Sequence, residues 1–179
     1  MKSLKLHIIL ITCLLLNMNQ LLAQTDTAVQ LHLWLANSDS VTLNHPKKIH
    51  PDSIISYAYY FMGDRYRRGG TSSKGFDCSG YTMTVYRKFH IKLPHTSAGQ
   101  SHIGVEINKK LIDKGDLVFF RGRNSRRPGI GHVGIVISNK GEPVQFIHSS
   151  TSSGVRIDRL DSEYYRKRFM KATRVLPLH

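Results

Sequence analysis

Cys78 stands in the segment Gly75-Phe76-Asp77-Cys78-Ser79-Gly80-Tyr81, directly after an aspartate suited to capping a helix. A thiol at a helix N-terminus meets unpaired N–H groups and the positive end of the helix dipole, both of which favour the nucleophilic thiolate. Such a nucleophile needs a base that takes its proton and later gives it to a leaving amine. His132 opens the apolar run His132–Ile137, and His148 closes the run Val144–His148. If these runs are neighbouring antiparallel strands, both imidazoles lie at one end of the pair. A helix N-terminus packed against that end brings Cys78, His132 and His148 together as nucleophile, base and a second imidazole that holds the base in one tautomer. One thiolate and two imidazoles could also ligate zinc. The helix-start position of the thiol argues for the nucleophile, and spacing alone leaves both readings open.

The elements that must position these groups follow from periodicity. Pro51 suits a first helical turn, Ile54, Ile55, Ala58, Phe61 and Met62 recur at helical spacing, and Gly63 ends the run. A glycine-rich loop, residues 66–75, leads to a second helix that begins at Asp77-Cys78, with Cys78, Tyr81, Val85 and Phe89 on one face. Pro94 forces a break before a short helical piece over Thr96–His102. The second half reads as strands: Leu117–Phe120, His132–Ile137, Val144–His148 and Val155–Ile157, then a helix over Ser162–Phe169 and a last strand over Ala172–Leu176. The basic loop Arg121–Gly131 separates the first two of these strands. In His132–Ile137, His132 shares a face with Gly134 and Val136, while Val133, Ile135 and Ile137 take the other. Helices first and antiparallel strands later indicate an α+β domain.

The N-terminus reads as an export signal. Lys2 and Lys5 precede an apolar run from His7 to Leu16, polar residues 17–20 interrupt it, and Leu21-Leu22-Ala23 close it. Residues 1–23 are therefore expected to be cleaved, and the polar interruption argues against a retained anchor. Thr12 before Cys13 and the continuing apolar run argue against a lipidated cysteine. Cleavage removes two lysines and no acid, so the formal charge of +14 falls to +12. It also removes Cys13 and leaves Cys78 unpaired, a liability in an oxidising compartment unless the thiol is buried or used. Residues 24–50 read as an N-terminal arm with an alternating strand from Val29 to Ala36, and residues 51–179 as one domain. A chain that is 40% hydrophobic is no disordered basic tail, and two cysteines make no disulfide framework. The basic excess suits an anionic envelope surface. Nucleic acid is not expected, because no aromatic–basic motif accompanies the charge.

The motifs around Cys78 resemble those of the NlpC family of bacterial cell-wall cysteine peptidases. Gly75–Tyr81 is similar to the family's nucleophile segment, and Tyr66-Arg67-Arg68-Gly69-Gly70 to the Tyr-x-x-Gly-Gly before it. Leu93-Pro94-His95-Thr96-Ser97 resembles a Leu-Pro-Arg-x-Ser motif, with His95 in place of the usual arginine. Lys114–Phe120, Gly131–Ile135 and Phe146–Ser150 resemble the strands that flank the base and carry the third catalytic position. Six motifs in order cover about residues 52–176. The resemblance implies a papain-like α+β core, with N-terminal helices packed on an antiparallel sheet, that hydrolyses amide bonds in peptidoglycan stem peptides. It implies Cys78 as nucleophile, His132 as base and His148 as its orienter. Tyr66 would sit near the scissile carbonyl, and Asp77 and Ser79 would bind the substrate's amine and peptide. A phenol can bond a developing oxyanion and a carboxylate an ammonium. Asp77 can equally be a helix cap and Tyr66 a packing residue. The implied enzyme needs no cofactor or metal, acts in the periplasm or outside the cell at the wall, and is expected to be a monomer. Amidase or acyltransferase chemistry on the same fold is the neighbouring alternative. Arg68, where an aromatic is common, departs from the pattern.

Overall fold

In the computed structural model, which describes residues 49–122 and 128–176, helix α1 spans Pro51–Tyr59. The expected signal, the strand of the arm and the centre of the basic loop lie outside the described residues. Pro51 occupies the first turn and His50 caps it, accepting from the Asp52 N–H. Ile54, Ala58 and Phe61 are buried, while Met62, at 44% exposure, is not part of that face. The glycine-rich loop contains a short hairpin that the sequence reading lacks: β1 (Thr71–Ser72) pairs with β2 (Gly75–Phe76). Helix α2 spans Cys78–Arg87, with Asp77 as its N-cap. Short α3 (Ser97–Gln100) follows Pro94, capped by Thr96.

One antiparallel sheet carries the rest. Strands β3 (Val105–Ile107), β4 (Leu117–Arg121), β5 (Ile130–Val136), β6 (Gln145–Ser150), β7 (Gly154–Arg159) and β8 (Phe169–Arg174) lie in the order β3-β8-β4-β5-β6-β7. The expected pairing of the two histidine strands holds, with Ile135 opposite Ile147 and Val136 opposite Phe146. β6 runs on past His148 to Ser150, so His148 sits inside the strand and not at its end.

Two expectations near the C-terminus need correction. The helix expected over Ser162–Phe169 is only α4, Glu163–Arg166, and the last strand begins at Phe169 and stops at Arg174. A short helix is marginal unless packing supports it. Here Phe169 instead pairs with Phe120 of β4, and sheet formation takes the residues. Strand β3 was not anticipated. It is a three-residue edge strand whose Glu106 pairs with Lys171 at 2.7 Å, too short to leave a period in the sequence.

The sheet separates two cores, as alternation dictates. On one face Leu117, Phe119, Val133, Ile135 and Ile147 meet α1 and α2 through Ile54, Ala58, Tyr81 and Val85. On the other, Val118, Phe120, Val136, Phe146 and Ala172 pack together with Tyr165 against them. These helices on an antiparallel sheet form the expected papain-like α+β core. Buried hydroxyls fix the helices to the scaffold: Tyr81 donates to the Ala58 carbonyl at 2.8 Å and Tyr86 to the Gly115 carbonyl at 2.6 Å.

Candidate active site

The N-terminus of α2 is clamped from several sides. Asp77 Oδ1 accepts from the Gly80 N–H at 2.7 Å and from Ser79 Oγ at 3.0 Å. Its Oδ2 accepts from the Gly69 N–H at 2.8 Å and lies 3.3 Å from His95 Nε2. Both carboxylate oxygens are thus used in holding the loop to the helix, and His95 reaches Asp77 in the place of the arginine motif. Gly80 is required here, because a Cβ would collide with the Gly70 carbonyl. Gln100, fully buried, staples α3 to this end: its Nε2 donates to the Ser79 carbonyl at 2.9 Å and the Pro94 carbonyl at 2.8 Å. Ser149 Oγ, from β6, donates to the Phe76 carbonyl at 2.8 Å and ties the cysteine segment to the sheet.

Cys78 is half-buried and lines a cavity of about 460 Å³ together with His132 and Tyr66. Burial and the charge of Asp77 push the thiol up to about 11, although N–H groups of Val133, Ser79 and Cys78 itself bond to the sulfur and pull the other way. The helix start therefore favours a thiolate, as expected from the sequence, but burial outweighs it. Burial first, and then repulsion from His148, push the His132 imidazole down to about 3. At rest the cavity is lined by a neutral thiol and a neutral imidazole. Burial also raises the Tyr66 phenol, with Cys78 and Asp77 adding to the shift, so Tyr66 keeps its proton and can donate it in a hydrogen bond.

His132 Nε2 lies 2.9 Å from His148 Nδ1, and His148 Nε2 lies 2.8 Å from Asp158 Oδ2. Burial raises the Asp158 carboxyl, but the His148 hydrogen bond and the charges of His148 and Arg156 leave it below the ordinary carboxylate range. An ionised carboxylate only accepts, so His148 carries its proton on Nε2. When that ring is neutral its Nδ1 accepts, and His132 carries its proton on Nε2. The Nδ1 of His132 is left with a free lone pair. Three groups in series thus decide which nitrogen of His132 can take a proton. Tyr165 supports them, with its hydroxyl 3.3 Å from His148 Nε2 and its ring stacked on His132. Arg156 Nη2 donates to Asp158 Oδ1 at 2.6 Å.

The structure thus brings Cys78, His132, His148 and Tyr66 to one place. Asp77 and Ser79 lie at the same helix start, the buried Ser79 hydroxyl turned into the cap. Asp158, Arg156 and Tyr165 were not singled out from the sequence. Asp158 stands four residues after Gly154 among alternating charges, and the signal that could have found it is its register opposite Phe146, on the strand next to that of His148. The zinc reading fits poorly, since both nitrogens of His148 are already engaged. No group of three or more His, Cys, Asp or Glu among the described residues could hold a metal ion.

Comparison with known proteins shows which family the chain resembles. The model of the NlpC/P60 family matches residues 63–174. The chain is 38% identical over 138 residues to a probable endopeptidase NlpC homolog of Haemophilus influenzae, covering 76% of this chain and 69% of that protein. It is 42% identical over 117 residues to the murein DD-endopeptidase MepS/murein LD-carboxypeptidase of Escherichia coli, covering 65% of this chain and 58% of that protein. Among solved structures, an NlpC/P60 family protein from Bacillus cereus matches with a TM-score of 0.65 at 34% identity, over 73% of this chain and 41% of that one.

Proposed function

The chain belongs to the NlpC/P60 family, and on that premise we propose that it is a peptidoglycan endopeptidase that hydrolyses amide bonds in murein stem peptides by a thiol mechanism. The observation that carries this reading is the His132–His148 pair, 2.9 Å apart, with His132 lining the same cavity as Cys78.

The chemistry follows from the tautomers. Substrate binding displaces water from the cavity, and Cys78 passes its proton to Nδ1 of His132 as the sulfur attacks the scissile carbonyl carbon. The oxyanion forms near the Tyr66 hydroxyl, which donates to it. His132 then protonates the leaving nitrogen, the C–N bond breaks, and an acyl-thioester remains on Cys78. Water adds to that ester with His132 taking its proton, and collapse releases a carboxylic acid and restores the thiol. His148 stays in place throughout and steadies the imidazolium that His132 becomes. Asp77 and Ser79 hold the helix start and border the substrate's amine side.

Export completes the reading. Residues 1–23 act as a cleaved signal, residues 24–50 as an arm, and residues 51–179 as the peptidase domain of a monomer working at the wall outside the cytoplasm. The +12 charge of the processed chain draws it to anionic envelope surfaces. No helix among the described residues is long and apolar enough to cross a membrane.

The test uses the chain recovered from an exporting host, where an N-terminus at Gln24 checks the signal. Incubated with purified muropeptides, it yields cleaved stems by mass spectrometry. Cys78→Ala lowers the rate by about 10³-fold or more, and iodoacetamide abolishes it while a chelator does not. Uncleaved muropeptides, or equal cleavage by Cys78→Ala, would sink the proposal.

A further inference from the structure

Three arginines line the cavity that holds Cys78 and His132: Arg121, Arg156 and Arg168. Arg156 is neutralised by Asp158 at 2.6 Å. Neither Arg121 nor Arg168 has a carboxylate within ion-pair distance among the described residues. The nearby acids are engaged elsewhere, Glu163 with Lys167 at 2.6 Å and Asp161 with Arg159 at 2.6 Å. The backbone sets the two arginines side by side, since the Arg121 N–H donates to the Arg168 carbonyl at 2.8 Å where β4 ends and β8 begins. Like charges on adjacent segments repel, and no ion pair to either arginine among the described residues offsets the cost.

Arg168 is also held in position. Its Nη1 donates to the Gly122 carbonyl at 3.0 Å, and its Cζ lies 4.5 Å from the centroid of the Tyr164 ring. A guanidinium fixed through one N–H and one face keeps further donors in the planar fork that matches a carboxylate.

The chemistry says which part of a substrate meets these arginines. His132 must protonate the leaving nitrogen, so the leaving portion lies on the His132 side of the sulfur. Phe120 is the cross-strand partner of His132, and Arg121 is the next residue of the same strand. A register irregularity between Phe120 and Arg121 accompanies the entry of Arg121 into the cavity lining that His132 and Arg168 share, and the two arginines border the leaving portion there.

We propose that Arg121 and Arg168 form a carboxylate-binding subsite for the leaving portion, so that the enzyme prefers stem peptides whose leaving residue carries a free carboxylate. This rests on the endopeptidase reading above. The subsite acts on choice of substrate and leaves the proton transfers to the imidazoles.

Two synthetic stem peptides test it, identical except that the carboxylate of the leaving residue is free in one and a carboxamide in the other. The wild-type enzyme cleaves the free acid with a kcat/KM about 10- to 100-fold higher, as expected for a charge-assisted, bidentate contact. The double variant Arg121→Gln/Arg168→Gln brings that ratio toward one by slowing only the free acid. Arg121→Lys/Arg168→Lys, which keeps the charges and loses the fork, retains part of the preference. Added salt narrows the wild-type ratio, with no variant required. A wild-type ratio near one, or a glutamine variant that slows both peptides alike, overturns the subsite and leaves the endopeptidase reading standing. Cleavage of neither peptide overturns both.

Discussion

At the scale of single residues, one carboxylate directs the protons on two rings. In the proposed mechanism Asp158 accepts from His148, His148 accepts from His132, and Nδ1 of His132 is thereby free to receive a proton from Cys78. Asp158→Asn keeps the shape but adds an NH₂ donor. Turned toward His148 Nε2, that donor reverses both tautomers and puts a proton on the nitrogen that the proposed mechanism uses as base. The expected result is a fall in kcat of about 10²-fold. The thermal midpoint is expected to move little, because Asp158 is on a partly exposed edge strand. Long-range ¹⁵N–¹H NMR of the imidazoles reads the tautomers directly: Nδ1 of His132 is unprotonated in the wild type and protonated in the variant. A slow variant with unchanged ¹⁵N shifts would mean that Asp158 acts by packing alone.

At the scale of elements, the pairing of β5 with β6 brings the imidazoles together, and Gly134 allows the strands to close. A Cβ at Gly134 would press on the Phe146 ring and on Cβ of His148. Gly134→Ala is therefore expected to cost about 1–3 kcal/mol in urea unfolding. It should also lower kcat more than a destabilisation of that size explains, because His148 is the side chain displaced; a kcat held at the wild-type level would show that the strands absorb the methyl group elsewhere. The same elements explain what the sequence made legible. Asp77 before Cys78 marks a helix start by local chemistry, and the apolar alternation of Val133, Ile135 and Ile137 assigns His132 to the opposite face, so neither needs a distant partner to be read. Asp158 could not be read this way. Arg156 and Asp158 alternate like solvent-facing charges, and only the register of β6 with β7 turns Asp158 toward His148. The segment 162–169 misled for a related reason: Tyr165 and Phe169 have helical spacing, but β4 offers Phe169 a sheet partner.

At the scale of the whole molecule, burying a neutral base ties stability to pH. The folded chain holds His132 near a pKa of 3, whereas an unfolded imidazole titrates near 6.5. Below that ordinary value the unfolded chain binds a proton that the folded chain does not, so stability falls as pH drops from about 6.5 toward 3. The lowered carboxyl of Asp158 adds its own loss only further down, as pH falls through the carboxylate range. The upper part of the acid window therefore belongs to the base. His132 is itself half-buried, and solvent discounts the full linkage slope to on the order of 1 kcal/mol per pH unit, still a sizeable part of a typical domain's stability. Urea unfolding at pH 7 and pH 5 measures it. The wild type is expected to lose on the order of 1–2 kcal/mol between them, and His132→Asn, which cannot take up the proton, to lose much less. Equal losses in both proteins would place the acid sensitivity elsewhere. If the difference appears, the position proposed to supply the base also makes the folded chain less stable in acid, and the burial of one ring bears on both its proposed chemistry and its acid tolerance.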